Sequence, residues 1–516
     1  MNSQAIPSAV ATQAAPGARA GTAGASTTVE STASPIYDWQ GFGFETRQVH
    51  AGEYPDKNHG LRVPPIALSA GYLFDDFDDQ VNRFNGSIHW RAENDGPRGE
   101  GEAFSPSEHR GSGPGAVHGQ DRVLSPSEHA PIYSRQGNPS NWVAEERLAS
   151  LEGGTVAVAV ASGQAAISAA LFTLAGRGDH LVSTASIYGG TRILFGRSFK
   201  RFGIDVDYVW NENDDAEWER AIRPETKAIY TETVPNPCND VTDLRRIAEV
   251  AARHNLPLVV DNTVGTPALI RPFEHGANIV VHSTTKFLTG HGSAVGGAII
   301  DGGNFDWAAA EAAGRSFPLI TQSARAGVAP MLERFGTGAY ARAARESVVN
   351  DIGPTLSPLH GFLLHQGIET LSLRMERHVE SAIKIARWLE RQSEVVSVDY
   401  AGLPSNARYD IATRDYGVDE QGYGRTGSVF GVTVRGGLEG ARAFVNGLRI
   451  FSRMTGIGDT RSMVLHPLTS THSSFAPELN DRLGITPGLL RLSIGLESAG
   501  DLIRDLRAAL DRVAAL

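Results

Sequence analysis

The sequence predicts an α/β protein with a large, open, mostly parallel sheet and a smaller C-terminal α+β domain. From residue 131 onward, short apolar runs alternate with segments of helical periodicity, as strands and crossover helices do in a parallel sheet. The runs are too short to cross a bilayer, so no transmembrane segment is expected. The predicted strands of the large domain are 156–160, 180–183, 205–209, 228–231, 258–261, 279–282 and 297–300.

A long helix is predicted over 370–391, where apolar residues recur at helical spacing, and it would join the two halves. Beyond it, 395–399, 428–434, 462–464 and 490–494 have the composition of strands. We therefore expect a large domain over 131–345 and a small domain over 346–516.

The residues before position 131 do not follow this pattern. Residues 1–35 are mostly Ala, Ser, Thr, Gly and Pro and predict a disordered extension, while 36–130 would form an N-terminal arm. Within the arm, an inserted loop over about 85–130 carries the pentapeptide of 105–109 again at 125–129. A loop of this length is either functional or disordered, so a lid over a neighbouring active site and a surface excursion are both open.

Charge and cysteine content exclude several classes of function. The chain has 516 residues, a net charge of −11 and one cysteine. Negative charge argues against nucleic acid as a partner, and a single cysteine excludes an internal disulfide framework and suits the reducing cytoplasm. No metal site is predicted, because the histidines of the inserted loop match no ligand spacing. These histidines are His89, His109, His118 and His129.

Lys286 is the most informative residue of the large domain. It follows an apolar strand and the hydroxyl-rich turn 282–285, although only five of the 47 Lys and Arg residues are lysines. A desolvated amine loses its proton more easily than one in water, and a neutral amine can form a Schiff base with a carbonyl cofactor. The sequence therefore suggests a lysine that binds pyridoxal phosphate. A strand-end lysine that merely extends to solvent is the alternative interpretation of Lys286 taken alone.

Asp261 supplies the acid that such a cofactor needs at its pyridine nitrogen. It ends the apolar run 258–261, and the 25 residues that separate it from Lys286 suit a strand, a connection and a strand. Both side chains could then emerge at neighbouring carboxyl ends of one parallel sheet. A helix cap is the alternative interpretation of Asp261 taken alone.

Three segments could bind the cofactor's phosphate. Residues 161–166 form a turn of small residues that leads into an alanine-rich helix, whose first amides would face an anion. Ser283 and Thr285 alternate before the lysine, which would point both hydroxyls to one side of an extended chain. Tyr133 and Arg135 have the same spacing.

Together these motifs resemble the Cys/Met-metabolism family of pyridoxal-phosphate enzymes, of the cystathionine γ-synthase type. The resemblance extends from residue 45 to residue 493 and includes the segments 45–52, 64–66, 133–139, 162–166, 188–191, 232–233, 236–237, 260–263, 281–286 and 487–493. It implies fold type I and a homo-oligomer, namely a dimer that shares its sites and assembles into a tetramer. No nucleic acid or membrane partner is implied.

The resemblance also implies a role for each matching residue. Lys286 would form the Schiff base and move protons, Asp261 would pair with the pyridine nitrogen, and Tyr188 would stack on the ring as a third catalytic residue. Arg491 would bind the substrate α-carboxylate, with Asn236 beside the cofactor's phenolic oxygen and Tyr133 near the substrate. The phosphate would be held by Gly163, Gln164, Ser283 and Thr285, with Tyr133 and Arg135 from the neighbouring subunit.

Within the family, the chain is most similar to the O-acetylhomoserine sulfhydrylase subgroup. Methionine γ-lyases carry a cysteine where this chain has Gly190, and the sulfhydrylases usually have a basic residue at the position of Arg461. One departure is Gly456, which stands where the subgroup has a small amide residue. The implied reaction replaces the acetate of O-acetylhomoserine by sulfide or a small thiol, giving homocysteine or a thioether amino acid.

Other functions stay open at this point. Cystathionine γ-synthase or a γ-lyase acting on a sulfur amino acid would use the same residues. A non-catalytic protein that merely binds pyridoxal phosphate is a more remote alternative. Dehydrogenases, nucleotide hydrolases and serine hydrolases are disfavoured, because their glycine-rich and nucleophile signatures do not occur.

Overall fold

A computed structural model describes residues 39–53, 60–85, 131–324 and 328–516. The predictions for residues 1–35 and for the inserted loop over 86–130 lie outside the described residues. The described residues fall within one compact unit, Trp39–Leu516. The domain boundary at residue 345 stays a prediction.

The first sheet has seven strands in the order β1-β7-β6-β5-β4-β2-β3. Only β7 is antiparallel to its neighbours, β1 and β6, so the sheet is mostly parallel, as predicted. The strands are β1 Val156–Val160, β2 His180–Thr184, β3 Asp205–Val209, β4 Thr226–Glu232, β5 Leu258–Asp261, β6 Ile279–His282 and β7 Gly297–Asp301.

Each face of this sheet has its own core. Val260 and Val280 pack in the cluster that includes Leu148 of the helix Pro139–Glu152. Their neighbours Val259 and Val281 point to the other face, in a second cluster with residues of the helix Gly163–Leu174. Because side chains alternate along a strand, one step in sequence moves a residue from one core to the other.

The second sheet has five strands in the order β10-β11-β12-β9-β8 and a core of its own, packed against the helices Leu371–Leu389 and Ala499–Ala514. Its strands are β8 Val395–Asp399, β9 Val429–Val434, β10 Ser452–Arg453, β11 Met463–Leu465 and β12 Leu489–Ser493. Strand β10 was not predicted, because two residues are too few to show a period. Asn239, just beyond the first sheet, donates to the carbonyl oxygens of Thr426 (2.8 Å) and Val429 (3.1 Å) and ties the two sheets together.

Helices cover both faces of the first sheet and connect it to the second. The predicted long helix is Leu371–Leu389. The other α-helices are Phe44–His50, Phe77–Asn85, Pro139–Glu152, Gly163–Leu174, Gly189–Ile193, Asp215–Ala221, Leu244–Arg253, Thr266–Leu269, Trp307–Ala312, Pro318–Thr321, Met331–Phe335, Ala339–Ala343, Asn350–Ile352, Pro358–Ile368, Tyr409–Tyr416, Gly437–Gly447, Pro477–Arg482 and Ala499–Ala514. Shorter 3₁₀ segments are Trp39–Gly41, Pro272–His275 and Gly336–Gly338, and π-helical turns are Leu194–Phe199 and Ala344–Val349. Within the described ranges, no helix is both long and apolar enough to cross a membrane.

Candidate active site

The site lies at the carboxyl ends of β5 and β6. Asp261 is the last residue of β5 and is in register with Val281 of β6, and Lys286 follows the end of β6 by four residues. The predicted extended conformation beyond Ser283 is wrong. The chain turns there, because the Lys286 amide donates to the Ser283 carbonyl (3.2 Å) and the Gly290 amide to the Lys286 carbonyl (2.8 Å). The turn brings the lysine back over the sheet edge.

The Lys286 side chain is largely shielded from water. Its burial, and then the positive charge of Arg491, lower the pKa of its ammonium group. Across the described ranges, no carboxylate lies within ion-pair distance of this ammonium, although two of the three other described lysines, Lys227 and Lys384, have such a partner. The environment therefore favours the neutral, nucleophilic amine.

Two carboxyl groups meet at the ends of β4 and β5. Glu232 is in register with Asp261, and burial raises the pKa of both groups. The Thr263 amide donates to Asp261 Oδ1 (2.9 Å), and the Tyr230 hydroxyl lies 3.4 Å from Oδ2. Burial, and then the neighbouring charge of Asp261, raise the pKa of Glu232 well above its usual range, so Asp261 is the better candidate for the ionised group.

Tyr188 is anchored by Glu232. Its backbone amide donates to Glu232 Oε1 (2.7 Å), while 41% of the residue's surface stays exposed. A Cβ atom at Gly190 would lie 2.4 Å from Tyr188 Cε1, so glycine at 190 leaves room for the ring. The aromatic face is thus held by its backbone and remains available to a planar ligand.

The start of the helix Gly163–Leu174 is where the sequence predicts an anion site. Ser162 accepts the amides of Ala165 (3.1 Å) and Ala166 (3.0 Å), which leaves the amides of Gly163 and Gln164 at the open end of the helix. Gly163 is pressed against Ser283, since a Cβ atom at 163 would lie 2.6 Å from the serine Cβ. The structure therefore brings Gly163, Gln164 and Ser283 together.

Thr285 differs from this group. Its hydroxyl donates to the Gly296 carbonyl (3.2 Å) and accepts the Gly296 amide (3.0 Å). The threonine pins the turn before Lys286 to the residue preceding β7. Its predicted contact with the phosphate stays a prediction.

Arg491 lies on β12 and is 3% exposed. Its guanidinium donates to the carbonyl oxygens of Thr455 (2.9 Å) and Gly456 (3.0 Å) and to Asn236 Oδ1 (3.3 Å). Burial lowers the pKa of Arg491 to about 10, and its Nε is buried without a hydrogen-bond partner. A buried guanidinium with a free donor is suited to an anionic ligand.

Sequence reasoning missed His472, which is buried close to this group. A Cβ atom at Gly189 would lie 3.5 Å from its Nε2, and its Nδ1 lies 2.9 Å from the Thr471 hydroxyl. Burial, followed by the charges of Arg491 and Arg192, lowers the pKa of His472 to about 4. The imidazole is therefore neutral at physiological pH, and no spacing signal in the sequence could have pointed to it.

Tyr133 and Arg135 are not joined to these residues. Tyr133 is 45% exposed, and the Arg135 guanidinium donates to the backbone oxygen (2.5 Å) and Oδ1 (2.6 Å) of Asn350. In the part of the chain that the structure describes, no hydrogen bond or ion pair connects Arg135 with Asp261 or Lys286. Their predicted contribution from a neighbouring subunit stays a prediction.

A cluster of possible metal ligands lies elsewhere in the described residues, formed by Glu53, His365 and Glu369. Arg147 is fully buried among them and lies 3.1 Å from Glu53 Oε1 and 3.5 Å from Glu369 Oε1. The guanidinium already supplies the positive charge at this place. The cluster is therefore an ion-pair network.

Comparison with known proteins adds to this geometry. Residues 118–511 match the family described as Cys/Met metabolism PLP-dependent enzyme. An O-acetyl-L-homoserine sulfhydrylase of Corynebacterium glutamicum is 39% identical over 90% of this chain and 96% of its own length. A homocysteine synthase of Schizosaccharomyces pombe is 38% identical over 91% and 98%, respectively.

A solved structure is similar over the same span. It is a Campylobacter jejuni subsp. jejuni protein assigned as an O-acetylhomoserine (thiol)-lyase, with N'-pyridoxyl-lysine-5'-monophosphate. It has 30% identity and a TM-score of 0.78, and the match covers 91% of this chain and all of that one.

Proposed function

Because the chain belongs to the Cys/Met metabolism PLP-dependent enzyme family, we propose that it replaces the acetate of O-acetylhomoserine by sulfide or a small thiol. The products are homocysteine, or a thioether amino acid, and acetate. The protein is a PLP-dependent transferase of fold type I, and pyridoxal 5'-phosphate is its cofactor.

The observation that carries the proposal is the pairing of Lys286 with Arg491. The guanidinium of Arg491 lies close enough to the shielded amine to add to the lowering of its pKa by burial, and Arg491 Nε has no hydrogen-bond partner of its own. A substrate with an α-amino and an α-carboxylate group would meet both, with the carboxylate on Arg491 and the amino group near Lys286 Nζ. An amino-acid substrate fits this arrangement.

The described residues also fit the cofactor. Asp261 would keep the ring nitrogen protonated, Tyr188 would cover the ring, and the amides of Gly163 and Gln164 with Ser283 and Thr285 would hold the phosphate. When bound, the cofactor supplies the electron demand that makes the Cα and Cβ protons acidic. Lys286 Nζ would then move these protons, and Asn236 and Arg491 would orient the substrate.

We further propose a dimer that shares its sites and pairs into a tetramer. Support comes from the arm over 60–85, which exposes large apolar side chains: Leu68 is 77% exposed, Leu73 91% and Phe77 74%. Several exposed large apolar side chains in one segment are typical of an interface. The arm lies next in the described chain to Tyr133 and Arg135, which would enter the partner's site. We place the enzyme in the cytoplasm, where its one cysteine would stay reduced.

A substrate panel tests the reaction. O-acetyl-, O-succinyl- and O-phosphohomoserine are each incubated with sulfide, methanethiol or cysteine, and the products are identified by mass spectrometry. We expect homocysteine and S-methylated product from the acetyl ester. Preference for the succinyl ester with cysteine would indicate a cystathionine γ-synthase, and formation of only elimination products with every nucleophile would indicate a γ-lyase.

A further inference from the structure

The strand ends that carry Asp261 have a second, buried side. Alternation along β5 and β6 places Asp261 on the same face as Val259 and Val281, toward the helix Gly163–Leu174. Asn262 and His282 each lie one residue out of phase and point to the opposite face, toward the helix Pro139–Glu152. Neither residue has a role in the reaction described so far.

Glu152 binds both of these residues at once. It is the last residue of its helix, has no exposed surface and is followed by Gly153 in the left-handed conformation (φ 81°). Its Oε1 accepts Asn262 Nδ2 (2.9 Å) and lies 2.5 Å from His282 Nε2. One carboxylate oxygen therefore joins the end of β5 to the end of β6.

Asn262 is fixed from two further directions. Its Nδ2 donates to the Ile270 carbonyl (2.9 Å), and its Oδ1 accepts the Thr233 hydroxyl (3.0 Å). Any movement of Glu152 would thus pass to the residue that follows Asp261. Through His282 it would pass equally to Ser283 and to the turn that ends in Lys286.

Fold stability alone does not explain the pair. Glu152 Oε2 and His282 Nδ1 are both buried without a hydrogen-bond partner, and neither side chain has exposed surface. Burying such a pair gains little or no stability over apolar residues of the same size, because desolvation offsets the attraction. Because the Glu152–His282 pair adds little stability to the fold, it is better explained by the positions in which it holds the ends of β5 and β6.

We propose that Glu152 and His282 are positioning residues that set the distance between Asp261 and Lys286 from behind the sheet. The inference deepens the proposed function and rests on the roles given there to Asp261 and Lys286. Burial raises the pKa of the Asp261 carboxyl group overall, and His282 lies close enough to be one of the groups that oppose this rise. Asp261 would thereby be held in place as the anion that a protonated ring nitrogen requires.

Glu152→Gln and His282→Asn test the proposal in the holoenzyme, and Glu145→Gln is the matched control. Glu145 lies on the same helix, is 1% exposed, accepts the Ala159 amide (2.8 Å) and pairs with Arg345 (2.7 Å), without contact to β5 or β6. We expect Glu152→Gln and His282→Asn to weaken binding of pyridoxal phosphate at least about fivefold, the change that about 1 kcal/mol of coupling produces. In both, kcat should fall at least about tenfold while KM for O-acetylhomoserine stays within about twofold, because Arg491 is untouched.

The control separates positioning from general stability. If Glu152→Gln and Glu145→Gln lower Tm alike and both keep the cofactor affinity, the visible circular dichroism and kcat of the parent, Glu152 has a structural role only and the inference is wrong. If Glu152→Gln does not fold, His282→Asn and its visible circular dichroism decide the question alone. Asp261→Asn separates failure of the proposed function from failure of the positioning inference. If Asp261→Asn behaves like the parent, the proposed role of Asp261 itself is refuted. If Asp261→Asn is defective while the Glu152 and His282 variants are normal, only the positioning inference is refuted.

Discussion

Two regions that both belong to the proposed active site differ sharply in how far their side chains are exposed to solvent. The strand-end region, formed by Asp261, Lys286 and Arg491, is shielded and bonded within the chain, with Arg491 only 3% exposed. The arm region, formed by residues 60–85 and 131–137, leaves Leu73 91% and Tyr133 45% exposed. The first region is complete in one chain, and the second has surface that nothing in the described residues covers.

The difference shows which parts of the proposed function need buried groups and which need exposed ones. Changing the pKa of an amine or a carboxyl group requires burial and fixed neighbours, so those groups must come from a packed sheet edge. Holding a phosphate from outside requires only reach and charge, which an exposed arm can supply to another copy of the chain. In our proposal, chemistry therefore belongs to the strand-end region and completion of the site belongs to the arm region.

The largest effect is expected from Lys286→Ala. Loss of the amine should lower kcat by at least about a thousandfold, because both the covalent attachment and the proton transfers depend on it. Borohydride reduction followed by peptide mass spectrometry should then find no pyridoxyl group on the peptide. Lys200→Ala removes an exposed lysine and serves as the control. Normal turnover by Lys286→Ala would remove the strand-end region from the chemistry.

Arg491→Ala should chiefly weaken amino-acid binding. Loss of a buried, charged hydrogen-bonding partner of a carboxylate typically costs about 3 kcal/mol, so KM for O-acetylhomoserine should rise about a hundredfold. Arg504→Ala removes an arginine of the helix Ala499–Ala514 whose side chain is 76% exposed, and it should leave KM unchanged. Saturation behaviour like that of the parent would argue against the carboxylate contact.

The same variant should change a pH profile. Burial and the charge of Arg491 both lower the pKa of Lys286, so removing that charge raises it. Uptake of pyridoxal phosphate by the apoenzyme needs the neutral amine and increases with pH through this pKa. The midpoint in Arg491→Ala should therefore lie at higher pH than in the parent and in Arg504→Ala. A shift to lower pH would contradict the proximity of the two cations.

Recovery of activity in mixed dimers, a smaller and positive effect, would distinguish the arm region from the strand-end region. Arg135→Ala and Lys286→Ala chains are co-expressed, and the mixed protein is assayed. If Arg135 serves the partner's site, half of randomly formed dimers are mixed and each has one intact site, so about one quarter of the parent activity should return.

The control for this experiment is co-expression of Arg491→Ala with Lys286→Ala. In our proposal both residues act within one chain, so every site of a mixed dimer has one defect, and no activity beyond that of the Arg491→Ala sites should return. Recovery in the control, or none with Arg135→Ala, would contradict the division between the two regions.

Much of the fold, and the family of the chain, was predictable from the sequence. The strands 258–261 and 279–282 were predicted with the observed bounds, because short apolar runs with sharp polar ends define buried strands. The resemblance to the Cys/Met-metabolism family is confirmed by the match over residues 118–511. The extended conformation from Ser283 to Thr285 was wrong, since the pattern of hydroxyls could not reveal the bond between Thr285 and Gly296.

The sequence by itself determined the order of strands and helices and pointed to Lys286 and Asp261 as candidate catalytic residues, because periodicity and local composition are properties of neighbouring residues. Tertiary structure alone decided which distant groups surround them. Glu152 meets His282 across 130 positions and Arg491 meets Asn236 across 255. Contacts of this kind arise when separate elements pack, and burial then sets the charge state of groups whose own sequence neighbourhood is silent about it.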